Sequence, residues 1–453
     1  MDSKLLRKTK SICPVCCCTI EALIIHEDNK IVMKKKCLRH GDFRVILSHD
    51  PQFFSELMRA YYILMPKGLP VKILELAVTP YCSLNCPICS VMDSIGESVR
   101  PLNAEDAKKI IREHPDKEFL LWGLEPTDNL HLKNILQILK KNGKKANLFT
   151  NGIMLADFEY LAGLRDAGLS HVYLQFDGFD DETYKVLRGR RMLENKITVL
   201  ENLKRLNIPT TLNITLAKGV NESQIKKIID YALKNDFIKQ LGFLPLMKIG
   251  KAESCKKDII PQYYEFLEIL EKETEGKINR DSLKIFQKLM YLVYRFSGFR
   301  RCFWFILFII IRDKKKGEYI TIADLIDLSK LEKTIDSYIN KVEKYKKRRW
   351  FLGELVLCFK LAPFFLKFQI FNLVWNYFVF LLKGKKIESV RNQNKFIFIT
   401  YTDFCDFYKM DLGMSDEYCE EMLAVKNKQD EIVYKPTYVM VIETAKQLRA
   451  VPK

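Results

Sequence analysis

From Val71 to about Gly250 short apolar runs alternate with longer amphipathic stretches, the rhythm of repeated βα units. The runs at 72–79, 118–122, 146–150, 171–176, 210–216 and 238–244 are read as strands. Apolar positions at helical spacing predict helices over 130–142, 156–167, 194–206 and 222–235, with stops at Asn142-Gly143 and Gly168. Six parallel strands predict a partial barrel whose chemistry belongs on the loops at the strands' carboxyl ends. Ahead of it, 24–33 alternates as a small hairpin. Behind it, 262–273, 282–296 and 328–347 are read as helices and 396–400 as a strand. Residues 302–311 read as a buried strand, too short for a bilayer span. Residues 415–424 read as a short helix capped by Ser415 or Asp416, and 438–448 as apolar enough to dock.

The apolar pattern changes character over 350–382, where aromatic and aliphatic residues crowd together between basic runs at 344–349 and 383–386. Lys360 and Lys367 interrupt it, Pro363 bends or ends a helix, and no uninterrupted stretch reaches 18 residues. Two amphipathic helices lying at a membrane surface fit this pattern better than a spanning helix. A helical pair packed on the barrel, a dimer surface, or the wall of an apolar substrate channel would bury the same residues. The expected organisation is therefore a Cys-rich metal domain (1–55), the barrel (56–250), a helical and mixed extension (251–345), the apolar segment (346–388) and a C-terminal cap or auxiliary domain (389–453).

Composition adds little to this. With 48% hydrophobic and 29% charged residues the chain is a folded protein rather than a disordered one. A formal charge of +18 attracts polyanions, anionic substrates or an anionic membrane face without choosing among them. No nucleic-acid module, nucleotide-binding glycine loop or internal repeat is visible. No cleavable secretion signal is expected, since no apolar core follows the basic start, so the 13 cysteines point to metal ligation in a reducing, cytoplasmic setting.

Two sets of cysteines have metal-ligand spacing. Cys13-Pro-Val-Cys16 and Cys37-Leu-Arg-His40 form two knuckles that can close a four-coordinate site around zinc, or iron in the manner of rubredoxin. Cys17 or Cys18 could replace His40 and give an all-sulfur site. The second set is Thr79-Pro-Tyr-Cys-Ser-Leu-Asn-Cys-Pro-Ile-Cys89, directly after the first strand. Cys82, Cys86 and Cys89 can hold three irons of a [4Fe–4S] cube and leave the fourth open; a zinc site or buried thiols are the alternatives.

That C-x3-C-x2-C spacing resembles the signature of the radical S-adenosylmethionine (radical SAM) superfamily. Leu121-Trp-Gly-Leu-Glu-Pro-Thr127, closing the second strand, resembles its Gly-Gly-Glu-Pro motif, with Leu124 in place of the second glycine. Cys-Pro-Ile-Cys89, together with the N-terminal knuckles, resembles a smaller branch. It holds archaeal tetraether lipid synthases, related enzymes joining lipid tails, and a methyltransferase acting on a pterin precursor.

The resemblance implies a partial (β/α)6 radical SAM barrel in an α/β chain, with a small Cys-rich domain before it and a helical, partly apolar extension behind. It implies a [4Fe–4S] cluster on Cys82, Cys86 and Cys89 and S-adenosylmethionine held by Gly123, Glu125 and Pro126, with Glu125 near the cofactor's ammonium. Asp177, Asn213 and Arg188 are its further cofactor contacts, Arg188 toward the carboxylate. An electron from a low-potential donor such as ferredoxin or flavodoxin would release a 5′-deoxyadenosyl radical that abstracts hydrogen from an unactivated C–H bond. The apolar segment favours a lipid chain as substrate, with peripheral contact at the inner membrane face. The alternatives are methyl or methylene transfer to a pterin-like heterocycle and modification of a peptide. An auxiliary Fe–S cluster would draw on Cys255, Cys302, Cys405 and Cys419, with Cys358 nearby.

Overall fold

The alternating front of the chain forms a four-stranded antiparallel meander: β1 (Lys4–Ile12), β2 (Thr19–Glu27), β3 (Lys30–Cys37) and β4 (Gly41–Ser48). The predicted hairpin is its middle pair, turned through Asp28 and Asn29, both in the left-handed region that tight hairpin turns require. The computed structural model describes residues 3–65, 73–90, 99–247, 250–254, 263–297, 305–313, 318–344, 396–402, 409–412 and 421–436, together with Leu357, Lys360, Leu361, Ile442 and Lys446. Helix Pro51–Leu64 follows the meander, capped by the Asp50 side chain, which accepts from the Phe53 N–H. It lays Phe54, Leu57, Tyr61 and Leu64 into the main core beside helices Arg280–Ser297 and Leu328–Lys344.

The six expected strands are all present and parallel: β5 (Ile73–Ala77), β6 (Glu118–Trp122), β7 (Ala146–Thr150), β8 (Leu169–Gln175), β9 (Thr210–Leu216) and β10 (Ile238–Pro245). Helices Leu132–Lys141, Phe158–Ala167, Leu193–Arg205 and Gln224–Lys234 connect them where helical spacing placed them. Strand alternation separates two faces. Phe119, Leu121, Leu148, Val172, Leu174, Leu212 and Ile214 join the core under the helices, and the intervening residues face the concave side.

The sheet does not end at six strands. The antiparallel pair β11 (Phe305–Asp313) and β12 (Glu318–Ile320) edges it, and β13 (Phe396–Thr402) inserts between β11 and β10, parallel to β10. At the other end β14 (Glu421–Lys426) adds in parallel to β5 and pairs with β15 (Ile432–Pro436). The helix expected over 415–424 is thus corrected at its end: residues 421–424 are strand, and 413–420 lie outside the described residues. The open edge of β5 offers Glu421 to Ala424 a ladder of backbone partners, which overrides the local capping signal.

Among the described residues no helix is long and apolar enough to cross a membrane. Most of 350–382 lies outside the described residues, but Leu357 and Leu361 are buried in the main core with Lys360 exposed between them. Cys255, Cys302, Cys358, Cys405 and Cys419, and the auxiliary cluster expected from them, also lie outside the described residues.

Candidate active site

The short β3–β4 turn folds His40 back beside Cys37, and the loop after β1 brings Cys13 and Cys16 to the same point. Cys13 Sγ stands 3.6 Å and Cys37 Sγ 3.5 Å from His40 Nδ1, and Cys16 Sγ lies 3.9 Å from Cys37 Sγ. Ligands about 2.0–2.3 Å from one zinc ion at tetrahedral corners stand roughly 3.3–3.8 Å apart, so this donor set fits zinc. Among the described residues it is the one group of side chains gathered for a single ion. Cys17 is buried instead beside Ile12, Met410 and Leu412, and Cys18 is exposed, so neither displaces His40 from the group. Burial raises the Cys16 thiol, but hydrogen bonds from the Cys18 backbone and the neighbouring sulfurs bring it down to about 7, toward the ligating thiolate.

The second cysteine set lines a cavity of about 210 Å³ at the carboxyl ends of the strands. Cys82, Cys86 and Cys89 form one side. Trp122, Phe149, Gln175, Thr215 and Leu244, each at the end of a different strand from β6 to β10, form much of the rest. The cysteine loop is clasped from several directions. Leu124 N–H donates to Thr79 O (3.2 Å), Glu125 N–H to Tyr81 O (2.9 Å), and Ser83 N–H to Asp128 Oδ2 (2.9 Å). Gly123 is required for this close passage: at φ +130° its added Cβ would stand 2.8 Å from Thr79 O. Pro126 opens the single turn Pro126–Asp128 that presents Asp128.

Glu125 sits behind the cavity wall, fully buried. Its Oε1 accepts from Thr127 N–H (3.1 Å), Thr127 Oγ1 (2.6 Å) and Thr150 Oγ1 (2.6 Å), and its Oε2 from Asn151 N–H (2.7 Å). Burial raises its pKa although these four donors oppose the shift. Geometrically it braces the ends of β6 and β7.

Asp177 is also fully buried and receives both Nε (2.7 Å) and Nη2 (2.9 Å) of Arg188, whose Nη2 also reaches Thr215 Oγ1 (2.8 Å). Thr215 N–H donates to Asp177 as well (3.0 Å). Held this way, Arg188 faces the cavity against Cys86. Burial raises the Cys86 thiol, and the guanidinium is the main opposing influence.

Sequence reasoning missed Lys196, which lies beneath this arrangement with no exposed surface. Its Nζ donates to Asn151 O (2.5 Å), Gln175 O (2.7 Å) and Gln175 Oε1 (2.9 Å), tying the ends of β7 and β8 together. Burial lowers its pKa to about 7. Glu125, Lys196 and Asp177 behind the wall, with Arg188 on it, thus form two acids and two bases in one network. A signal was available: Lys196 shares the 196/199/200/203 stripe with Val199, Leu200 and Leu203, all buried.

Asn213 points to the concave side of β9 with its Nδ2 buried and unpaired. The structure therefore gathers the three cysteines, Gly123 and Arg188 at the cavity. Glu125, Pro126 and Asp177 brace it from behind, and Asn213 lies on the sheet face leading to it. The donor set suits an iron–sulfur cube, with three thiols on one wall, an arginine beside one of them and the Leu84 N–H 3.5 Å from Cys82 Sγ.

Residues 76–232 match the Radical SAM superfamily, and residues 5–49 match the HMPTM N-terminal zinc ribbon domain. The chain is 31% identical to the 7,8-dihydro-6-hydroxymethylpterin dimethyltransferase of Methanocaldococcus jannaschii, over 61% of this chain and 60% of that protein. It is 29% identical to a "Probable GTP 3',8-cyclase" of Pyrococcus abyssi, over 38% of this chain and 57% of that protein. The chain thus spans less than two thirds of the length of either relative. The match to Streptococcus suis SuiB bound to precursor peptide SuiA covers 49% of each chain at 18% identity and a TM-score of 0.40.

Proposed function

We propose that this chain, a member of the radical SAM superfamily, directs its chemistry at a small, flat, polar heterocycle of the pterin class and transfers a one-carbon unit to it. The observation that carries the reading is the chemistry of the concave sheet face. Asn147, His171, Gln175, Thr211, Asn213, Gln240 and Thr400 alternate there with the aliphatic residues of the other face, and Phe149 and Tyr173 stack 6.1 Å apart between them. A flat polar ring needs both an aromatic wall and oriented amides. A lipid chain, the substrate expected from the apolar segment, would leave Asn147 Oδ1, Asn213 Nδ2 and Gln240 Oε1, which have no protein partner, buried and unsatisfied. The pterin and guanine nucleotide in the relatives' names support the same class.

Cys82, Cys86 and Cys89 would hold the cluster, and Arg188, fixed by Asp177, would set a positive charge beside the Cys86 thiolate. When bound there, cluster and S-adenosylmethionine together supply a carbon radical by reductive C–S cleavage. Gln175, Thr215 and Asn151 offer polar groups to the cofactor on the cavity wall, and Glu125 and Lys196 keep those rim residues in place. The test is anaerobic reconstitution with iron and sulfide, followed by reduction with S-adenosylmethionine and either 7,8-dihydro-6-hydroxymethylpterin or acyl lipids. Substrate-dependent 5′-deoxyadenosine is expected. Because that cleavage leaves the methyl group on methionine, a one-carbon mass gain on the pterin is expected when a separate one-carbon donor is supplied. The donor is either further S-adenosylmethionine, released as S-adenosylhomocysteine, or a methylene-carrying reduced pterin. Turnover stimulated by lipid alone would overturn the proposal.

A further inference from the structure

We propose that Asn213 and Gln240 form a subsite that reads the lactam edge of the heterocycle, the adjacent ring N–H and C=O that pterins share with guanine. This rests on the substrate class argued above and adds the residues that select within it. Asn213 Nδ2 and Gln240 Oε1 are both buried without a hydrogen-bond partner, in side chains only 7% exposed. Buried amide atoms are rarely left unpaired in a folded protein, so two of them on one wall call for a ligand.

Strand register brings the two together. Asn213 on β9 pairs with Gly242 on β10, and Gln240 lies on the same face one rung below, paired with Thr211. Thr400 on β13, opposite Gly242, receives a hydrogen bond from Gln240 Nε2 at 2.9 Å and so fixes the amide with its oxygen free. Gly242 leaves the room: a Cβ there would stand 2.6 Å from Asn213 Oδ1. A donor and an acceptor, on neighbouring strands of one wall, complement a ring carbonyl and its neighbouring N–H. The rung that carries Gln240 continues through Thr211 and Tyr173 to Phe149, so the stacked aromatic pair lies at the level where the ring's face would sit. Thr400 belongs to a strand outside the region matched to the superfamily, so this chain completes the subsite with its own C-terminal part.

The experiment measures binding by anaerobic equilibrium dialysis to the cluster-loaded protein with S-adenosylmethionine. The probes are 7,8-dihydro-6-hydroxymethylpterin, guanosine, and a 2,4-diaminopteridine in which an amino group replaces the ring carbonyl. The wild type is expected to bind the pterin at least tenfold more tightly than the diamino compound. Gln240→Met should weaken pterin binding about tenfold or more and erase the discrimination while retaining wild-type iron content. Gly242→Ala, which crowds Asn213 without removing either amide, should weaken pterin binding as well. Guanosine binding as tightly as the pterin would support the subsite with a nucleoside as its source. Pterin binding by the wild type with no effect of either variant would overturn the subsite alone. Binding of neither the pterin nor guanosine would overturn the substrate class on which it rests.

Discussion

Lys196→Met tests whether a cation really lies buried behind the cavity. The ammonium has no exposed surface and donates to Asn151 O, Gln175 O and Gln175 Oε1. Burial dominates these contacts and lowers its pKa from 10.5 to about 7. In the unfolded chain the lysine keeps its ordinary value, so between about pH 7 and 10.5 the unfolded state binds more protons than the folded one. Stability from this group therefore rises with pH through that window, and the full burial cost is present at and below its lower end. One pKa unit corresponds to about 1.4 kcal/mol and the group is half titrated at pH 7, so raising the pH from 7 to 9 should add about 2 kcal/mol through Lys196 alone. Methionine, of similar length and uncharged, removes this dependence while leaving three acceptors without their donor. Urea unfolding followed by circular dichroism, on both proteins at both pH values without oxygen, isolates the effect, because titrations not coupled to Lys196 cancel in the difference. The variant should lose stability relative to wild type by about 2 kcal/mol more at pH 9 than at pH 7. A gap that does not change with pH would refute the reasoning.

Gly123→Ala should strain the β6 loop against Thr79 by about 1–3 kcal/mol and lower the iron retained after reconstitution; unchanged iron and sulfide would count against the close passage. Asp177→Asn leaves Arg188 buried without a matching charge and should cost roughly 3 kcal/mol in urea unfolding, with an altered electron paramagnetic resonance signal from the reduced cluster. Cys37→Ser should remove about one zinc per chain and expose the 3–48 region to limited proteolysis, because a sheet this small depends on its metal. Wild-type zinc content in that variant would show that the quartet is not the ligand set.

The barrel was legible because its strands and helices are local and periodic. The runs now seen as β5 to β10 needed only apolar residues bounded by turn signals, and their order then placed Cys82, Cys86 and Cys89 on the rim. Strands β13 and β14 were harder. Residues 396–400 announce a strand, but nothing local says that it pairs with Gln240 to Phe243, more than 150 positions earlier. Residues 421–424 carry a helix-like approach and become strand only because β5 has an open edge. The N-terminal quartet was visible as spacing, while the choice of His40 over Cys17 or Cys18 needed the β3–β4 turn. Lys196 stood in plain view on an apolar stripe, yet a lysine there is ordinarily discounted as an imperfect core position.

The proposed substrate class rests on a different kind of information. No single segment of the barrel is polar, so a search along the chain finds only the aromatic stretch over 350–382 and infers an apolar ligand. The polar groups are distributed one or two to a strand, set beside aliphatic neighbours: Asn147 between Ala146 and Leu148, Asn213 between Leu212 and Ile214, Gln240 before Leu241. Pairing in register collects them on one face and sends the aliphatic residues to the other. A one-residue slip in any of these strands would exchange the two faces, bury amides among the helices and line the lumen with leucine and isoleucine. The same register that stabilises the core under the helices therefore also lines the lumen with the polar groups on which the proposed substrate class rests.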